Sequence, residues 1–299
     1  MYPIDRPEPR LRGGPLLRVI APLIIGGTFV ILTVLERRRP LRQEHESKLR
    51  HLTRNLVFAG LAAATVNLLE RPVVQPLARF VERRQWGLLY IHPLPRALRV
   101  TLAVLLLDYT LYVWHVLVHK VPWLWRFHIV HHVDLDLDAS TALRFHFGEL
   151  AASIPWRAAQ IAVIGVNLEA LVLWQNALLV SILFHHSNVE LPIALERVVS
   201  TVFVTPRMHG IHHSVVPDEA SSNWSSGLTV WDWLHGTLRL NVPQRDVTIG
   251  VPAYRDPDEV TLAKTVTLPF VAQRPWRLLP GDGEPGPHEQ SRLAGELEP

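Results

Sequence analysis

The chain has 299 residues, of which 48% are hydrophobic and only 19% charged, so it is more apolar than a typical soluble enzyme. Its 30 basic and 27 acidic residues give a formal net charge of +3, an excess too small to indicate a nucleic-acid-binding face. The absence of cysteine excludes disulfides, thiolate-bound zinc, cysteinyl iron–sulfur clusters and cysteine nucleophiles, and leaves 16 histidines as the distinctive side chains.

The start of the chain predicts a disordered segment followed by a membrane-spanning helix. Residues 1–15 are rich in Pro, Arg and Gly, a composition typical of disorder. Leu16–Leu35 then runs for about 20 positions with Arg18 as its one charge, which is the length needed to cross a bilayer core. The charged block Glu36–Arg39 follows where a signal peptide would carry small residues for cleavage, so we interpret this helix as retained.

Two further apolar stretches precede the middle of the chain. Leu56–Leu69 is short and is expected to span only with its flanks or with tilt. Leu98–Val118 is long enough to cross a bilayer. The intervening Glu70–Arg99 contains four prolines, and we expect it to be a loop with room for one interfacial helix.

The second half of the chain predicts a helical hairpin and then a polar region. Leu150–Val166 and Leu168–Phe184 are apolar and are separated by a tight turn at residues 165–167. Beyond Leu279 the chain is rich in Gly, Pro and Glu, which predicts disorder. The predicted organisation is a disordered N-terminus (1–15), transmembrane helices with a loop (16–97), a domain that holds most of the histidines (98–240) and a C-terminal extension with a disordered tail (241–299).

The basic residues between the spans predict the orientation. Glu36–Arg54 holds seven basic residues and the longer Glu70–Arg99 holds six, so the first loop is denser in positive charge and is expected on the cytoplasmic side. Counting helices from there places the ends of the later spans that carry histidines on the same side. The expected fold is therefore an all-α integral membrane bundle of four to five spans, with a histidine-rich cap facing the cytoplasm.

Most of the histidines fall into a few clusters, two of which have the spacing H-x-x-H-H. Residues three and four apart share a helix face, so such histidines can converge on one metal site or on two neighbouring sites. A chance H-x-x-H-H in a chain of this composition has a probability of about 0.05, so two copies are poorly explained by coincidence. The clustered residues are His115 and His119; His128, His131 and His132; His146; His185 and His186; and His209, His212 and His213.

The number of clustered imidazoles predicts two metal ions, because one ion takes four to six ligands. Imidazole suits iron, zinc, copper and nickel, so the ligand type alone leaves the metal open. We expect the ligands to be His115, His119, His128, His131, His132, His209, His212 and His213, together with one of the neighbours His185 and His186.

The order and spacing of these residues resemble a known family. The succession runs Asp108-x3-Tyr112-x2-His115-x3-His119, His128-x2-His131-His132, His186-Ser187-Asn188 and His209-x2-His212-His213. It is similar to the histidine boxes of the fatty acid hydroxylase/sterol desaturase superfamily, and the likeness extends over roughly Asp108 to Thr237.

The resemblance implies a helical membrane protein with a non-haem diiron centre. Enzymes of this kind use O2 as co-substrate and two electrons to hydroxylate or desaturate a C–H position of an acyl chain, sterol or other lipid. The implied partners are a lipid substrate, the membrane and a separate electron donor such as a reductase, ferredoxin or cytochrome, with no nucleic acid. Zinc is expected to replace the two iron ions on overexpression.

Other residues near the boxes are expected to support the ligands or to supply an additional one. The family position favours His186 over His185 as the ligand. Asp108 lies inside an apolar span, seven residues before His115, and is predicted to orient an imidazole. This supporting set comprises Asp108, Tyr112, His146, Glu149, His185 and Asn188. We interpret His235 as structural and His45, His51, His92 and His288 as solvated loop residues.

Two other functions remain open. A dizinc or other hydrolytic membrane metalloenzyme is weakened by the absence of H-E-x-x-H, which would place a general base between two ligands. A metal-binding or transport protein without catalysis is weakened because the histidines gather beyond the spans, whereas a translocation path needs them along the spans.

Overall fold

The computed structural model describes residues 14–275, with side chains from Ile20 onward. Within that range the chain is helical, and three isolated bridges are its only β-structure. Residues 1–13 and 276–299 lie outside the described residues, and with them His288, most of the predicted disordered N-terminus (1–15) and all of the tail predicted to be disordered beyond Leu279; Gly14 and Pro15 belong to the first helix. The α-helices are α1 (Gly14–Arg38), α2 (Lys48–Thr65), α3 (Arg71–Arg84), α4 (Arg96–Lys120), α5 (Pro122–His132), α6 (Phe147–Ile164), α7 (Leu168–His186), α8 (Ile193–Val199), α9 (Pro206–His212), α10 (Pro217–Ala220), α11 (Val230–His235) and α12 (Leu262–Thr267).

Four helical segments are long and apolar enough to cross a membrane, which confirms the all-α membrane bundle. They are Ile20–Arg38, Lys48–Tyr90, Arg96–Lys120 and Leu168–His186. The predicted hairpin is present as α6 and α7, but α6 is not among the four because Glu149, Arg157 and Gln160 interrupt its 18 residues. The number of candidate spans among residues 14–275 is therefore four.

The prediction of a loop over Glu70–Arg99 is wrong for the first half of that segment. Helix α2 continues through a π-helical turn at Val66–Glu70 directly into α3, which ends at Arg84. A π-turn changes the hydrogen-bonding register of the helix, and it immediately precedes Pro72 in the first turn of α3, where a missing N–H is tolerated. The proline content of this segment therefore marks a change of helical register and does not end the helix.

One apolar core lies at the end of the bundle away from the histidine boxes. Val81, Leu107, Ile164 and Trp174 belong to it and come from α3, α4, α6 and α7. The α6–α7 turn closes at this end with Gly165 at φ +87°, where a non-glycine residue would be strained. This packing sets the direction of all four helices relative to one another.

The opposite end brings together the ends of the helices that carry histidines. The backbone N–H of Leu41, just after α1, donates to the carbonyl of Asn188, just after α7, over 2.8 Å. A second core, which includes Phe58, Ile129 and Tyr254, packs the C-terminal segment against α2 and α5. The basic segment 36–54 and the histidine boxes therefore lie at the same end of the molecule.

Candidate metal centre

The clustered histidines form two groups, buried except for the half-buried His119, with ligand atoms close enough to hold an ion each. In both groups these atoms all lie within 4.8 Å of one another. Cluster A consists of His115, His119, His128 and His132, and cluster B consists of His131, His186, His209 and His213. Eight of the nine predicted ligands are thus brought together in two sets of four.

Helix geometry divides each H-x-x-H-H box between the two clusters. In α5, His128 and His132 are four residues apart and share a face directed at cluster A, whereas His131 is turned by about 100° and reaches cluster B. In α9 the assignment is reversed, because His209 and His213 belong to cluster B and His212 packs against cluster A. The two boxes interlock, so the clusters are neighbours.

His212 is the remaining predicted ligand and lies at the edge of cluster A. Its ring centroid is 4.6 Å from that of His115 and 4.8 Å from that of His132. Its Nδ1 atom is 2.9 Å from the Ser222 carbonyl oxygen, and its buried Nε2 atom has no hydrogen-bond partner within the described residues. That nitrogen is available as a fifth donor to cluster A.

Acceptors around the clusters fix the tautomers of five imidazoles. The Nδ1 atoms of His115, His131, His186 and His212 lie 2.7–3.3 Å from backbone carbonyl oxygens. The Nδ1 atom of His128 is 3.0 Å from a carboxylate oxygen of Glu149. Carbonyl and carboxylate oxygens only accept, so each Nδ1 donates its proton and each neutral ring presents a bare lone pair at Nε2.

Cluster B shows why a cation fits between these nitrogens. The Nε2 atom of His186 is 3.0 Å from that of His131, although both rings donate through Nδ1 and have no proton left to share. Two lone pairs facing each other repel unless a positive ion lies between them. Two nitrogens bound at roughly 2.1 Å and at right angles would be roughly 3.0 Å apart, in agreement with this spacing.

Burial keeps the cap histidines neutral. Burial first, and then the nearby imidazoles, hold the pKa values of His131, His132, His209 and His213 well below their usual range. The same causes, opposed by the Ser222 carbonyl, lower the pKa of His212 to about 3. These rings are therefore ready to bind a metal at neutral pH without first losing a proton.

The supporting residues predicted from the sequence are only partly in place. Glu149 contacts a cluster histidine as expected. His185 belongs to neither group of four, but its ring centroid is 4.1 Å from that of His209. His146 caps α6, since its Nδ1 atom accepts from the Gly148 N–H and its Nε2 atom faces the Val266 carbonyl. Both ring nitrogens of His146 are therefore engaged away from the clusters.

The prediction that Asp108 orients an imidazole is wrong. Its carboxylate accepts from the Trp231 indole N–H over 2.7 Å and from the Leu228 N–H over 3.1 Å, because the segment before α11 folds back along α4. The Tyr112 hydroxyl likewise forms a hydrogen bond of 3.1 Å with the Thr237 hydroxyl. Asn188 pairs through its side chain with the backbone of Arg42. These three residues secure neighbouring segments and contact no cluster imidazole through a hydrogen bond.

The prediction for His51 is also wrong, because this histidine is buried in α2. Its Nε2 atom is 2.8 Å from Asp134 and its Nδ1 atom is 3.2 Å from Asp138. His45 and His92 are exposed as expected, and His235 stacks on Tyr112 at 4.9 Å. The alternation Asp134, Asp136, Asp138 directly after the first H-x-x-H-H box was the available sequence signal for this network.

The Asp134 network resembles a third metal group but is an ion-pair network. Glu46, His51 and Asp134 have ligand atoms within 4.8 Å of one another. Arg54 lies 2.6 Å from Asp134, and Arg144 lies 3.4 Å from it. These fixed cations pair with the carboxylates, as Arg54 also does with Glu46, so the network is held together by ion pairs and joins α2 to the end of α5.

Comparison with known proteins agrees with the geometry. Residues 100–237 match the profile of a family described as Fatty acid hydroxylase. Over 162 residues the chain is 35% identical to the ornithine lipid hydroxylase OlsE of Rhizobium tropici, covering 52% of this chain and 46% of that protein. It is 30% identical over 142 residues to the cholesterol 25-hydroxylase of Mus musculus, covering 47% and 46%. It is 26% identical over 188 residues to the alkylglycerol monooxygenase of Danio rerio, covering 59% and 38%.

These matches cover only part of each protein. The chain spans about half the length, or less, of these three relatives. No solved structure matches it significantly. The matched region contains clusters A and B completely, so the comparison and the geometry concern the same residues.

Proposed function

We propose that this chain, whose residues 100–237 match the fatty acid hydroxylase family, is a membrane-bound non-haem diiron oxidoreductase that uses O2 to oxidise a C–H position of a lipid. The observation that carries the proposal is the convergence of eight imidazoles in two adjacent clusters, with His212 as a ninth at the edge of cluster A; five of the nine have Nε2 left as a bare lone pair. Two iron ions bound there would supply O2 activation and the oxidation of the C–H bond.

The chain's own residues hold the ligands in place and exclude water. Glu149 and the carbonyls of Trp224, Arg144, Ile182 and Ser222 fix which nitrogen of each ring faces inward. The rings of the H-x-x-H-H boxes are almost completely buried. A dry, apolar surrounding protects a strongly oxidising centre from side reactions with water.

Hydroxylation is the proposed outcome, with desaturation as the alternative that the product would reveal. The three relatives named above are two hydroxylases and a monooxygenase, and their names refer to an ornithine lipid, a cholesterol and an alkylglycerol. These compounds differ in head group but are all lipids. We therefore extend only the class of substrate to this chain.

The proposal also includes an electron donor and an orientation in the membrane. Hydroxylation with O2 consumes two electrons from outside, for which we propose a separate reductase, ferredoxin or cytochrome. We place clusters A and B on the cytoplasmic side, because they lie at the same end as the basic segment 36–54.

An isotope experiment tests the proposed reaction. The iron-loaded protein in lipid nanodiscs, given a reductant and 18O2, should add one heavy oxygen atom to a lipid. His128→Ala should abolish this addition, whereas the matched variant His92→Ala, at an exposed turn, should retain it. Incorporation from H2 18O without O2 consumption would instead indicate hydrolysis and would overturn the proposal.

A further inference from the structure

A large pocket opens beside cluster A at the end of the α4 span. Its volume is about 820 Å³, within the range of sites for small organic ligands. His119, a member of cluster A, lines it directly, together with Lys120 and residues from the start of α5. A molecule in this pocket would therefore lie next to the proposed metal centre.

The inner walls of the pocket include aromatic rings that pack against His119 of cluster A. The Trp224 ring centroid is 4.6 Å from that of His119, and the Trp125 ring centroid is 5.0 Å from it. Trp123 forms a further wall and is 58% exposed. Flat apolar walls of this kind suit the hydrocarbon part of a ligand.

The charged side chains that line the pocket are all basic. Lys120, Arg126 and Arg274 line it, and no Asp or Glu is among its lining residues within the described chain. Arg274 is neutralised by Glu259, and within residues 14–275 Arg126 donates only to the uncharged carbonyls of Pro269 and Val271. No carboxylate of the described residues therefore compensates the positive charge of Arg126.

Lys120 is the cation closest to cluster A along the chain. Its ammonium lies 5.9 Å from the centre of the Trp224 ring, and no carboxylate in residues 14–275 forms an ion pair with it. It is exposed at the last residue of α4, where a span meets the interfacial region. An anionic group at this position would gain a charge-assisted hydrogen bond with little desolvation of the lysine.

The surroundings of the pocket indicate an amphiphile and not a small soluble anion. Val121, Trp123, Phe270 and Val271 are exposed apolar residues on the segments that line it or adjoin its lining. Exposed aromatic and aliphatic side chains beside a span are typical of contact with lipid, and Trp is favoured at the level of the head groups. The pocket therefore meets the bilayer at its polar boundary.

From these observations we propose that the pocket binds an amphiphile with an anionic head group, carboxylate or phosphate, with the head at Lys120 and Arg126 and the chain against the tryptophans. The inference rests on the proposed function for its role, since such an amphiphile would be the substrate presented to cluster A. The binding itself needs neither metal nor turnover.

Binding to the metal-free, full-length protein in a neutral detergent tests the inference. Tryptophan fluorescence would follow titration with dodecyl phosphate and with dodecanoate, and with dodecanol and inorganic phosphate as comparisons. At least one of the two anionic amphiphiles should bind at least tenfold more tightly than either comparison, and a difference in affinity between the two would identify the head group. Equal binding of dodecanol, or equal binding of inorganic phosphate, would overturn the proposal.

Three lysine variants assign the effect to the pocket. Lys120→Gln should weaken dodecyl phosphate binding about tenfold, which corresponds to roughly 1.4 kcal/mol, and Lys120→Arg should restore it. Lys264→Gln removes an exposed lysine outside the pocket lining and should change nothing. Trp123→Ala should weaken dodecyl phosphate more than octyl phosphate. Unchanged binding in both Lys120→Gln and Trp123→Ala would contradict the proposal.

The outcomes separate this inference from the proposed function. Selective binding of the anionic amphiphiles without any lipid oxidation by the iron-loaded protein would leave the pocket assignment standing and refute the function. Oxidation of neutral and anionic lipids at equal rates, with no effect of Lys120→Gln on binding, would refute the pocket assignment and leave the function standing.

Discussion

Replacing Asp134 with asparagine should destabilise the protein strongly, because this fully buried carboxylate meets three cationic side chains. The carboxylate lies 2.8 Å from His51, 2.6 Å from Arg54 and 3.4 Å from Arg144. Burial alone would raise its pKa, but the charges of Arg144, His51 and Arg54 outweigh burial and hold the pKa well below its usual value. Asparagine keeps the shape and removes the charge.

The magnitude follows from the burial of the partners. Arg144 is 0% exposed in its side chain, and Asp134 is its one ion-pair partner among residues 14–275, so the substitution leaves a buried guanidinium charge without a counter-ion, whereas Arg54 keeps its pair with Glu46. Removing one partner of a buried ion pair costs about 3–5 kcal/mol. At roughly 2–4 °C per kcal/mol for a chain of this size, the Tm should fall by about 10 °C.

Helix α2 also offers a matched control. Arg50 pairs with Asp258 over 3.4 Å, but Asp258 is 81% exposed in its side chain. Exposed pairs contribute about 0–1 kcal/mol, so Asp258→Asn should leave the Tm almost unchanged. The assay is thermal unfolding of both variants in detergent. If Asp134→Asn lowers the Tm no more than Asp258→Asn does, the structural role given to this network is refuted.

Three further predictions concern the clusters and the membrane. His186→Ala should lose bound metal and lipid product while His185→Gln keeps most of both, as measured by metal analysis and mass spectrometry; the reverse pattern would exchange their assignments. Labels at exposed positions near Arg39, Lys120 and His213 should be accessible from one side of the membrane, and accessibility of the Arg39 and Lys120 labels from opposite sides would contradict the predicted topology. Removing metal with a chelator should lower the Tm, since ligands bound to the folded state stabilise it, and iron(II) should restore it; a Tm insensitive to both treatments would contradict a metal centre.

Much of the site was predictable because its information is local. The i, i+3 and i, i+4 spacings of the boxes place histidines on shared helix faces. They also explain why His128 and His132 belong to cluster A and His131 belongs to cluster B. The membrane helices were predictable from apolar length, and Gly165 marked the turn between α6 and α7. These features need no knowledge of which segments meet in space.

The errors arose where a residue's partner lies far away in the chain. Asp108 and Trp231 are 123 residues apart, so nothing near Asp108 indicated that its carboxylate would secure the segment before α11. His51 precedes Asp134 by 83 residues, and its polar neighbours made it look solvated. The prediction of a loop after α2 was wrong for a different reason. The prolines predicted that the helix would end there, but a π-helical turn lets it continue into α3.

The metal content of the protein assembled in its native host tests the central claim most directly. Eight imidazoles in clusters A and B, with His212 at the edge of cluster A, predict close to two iron ions per chain. His128→Ala removes a ligand from cluster A and His186→Ala removes one from cluster B, so each should reduce the number of bound ions. If the overexpressed protein is purified with bound zinc, reconstitution should replace that zinc with the same number of iron ions. A folded protein that binds one ion or none under these conditions would contradict the account.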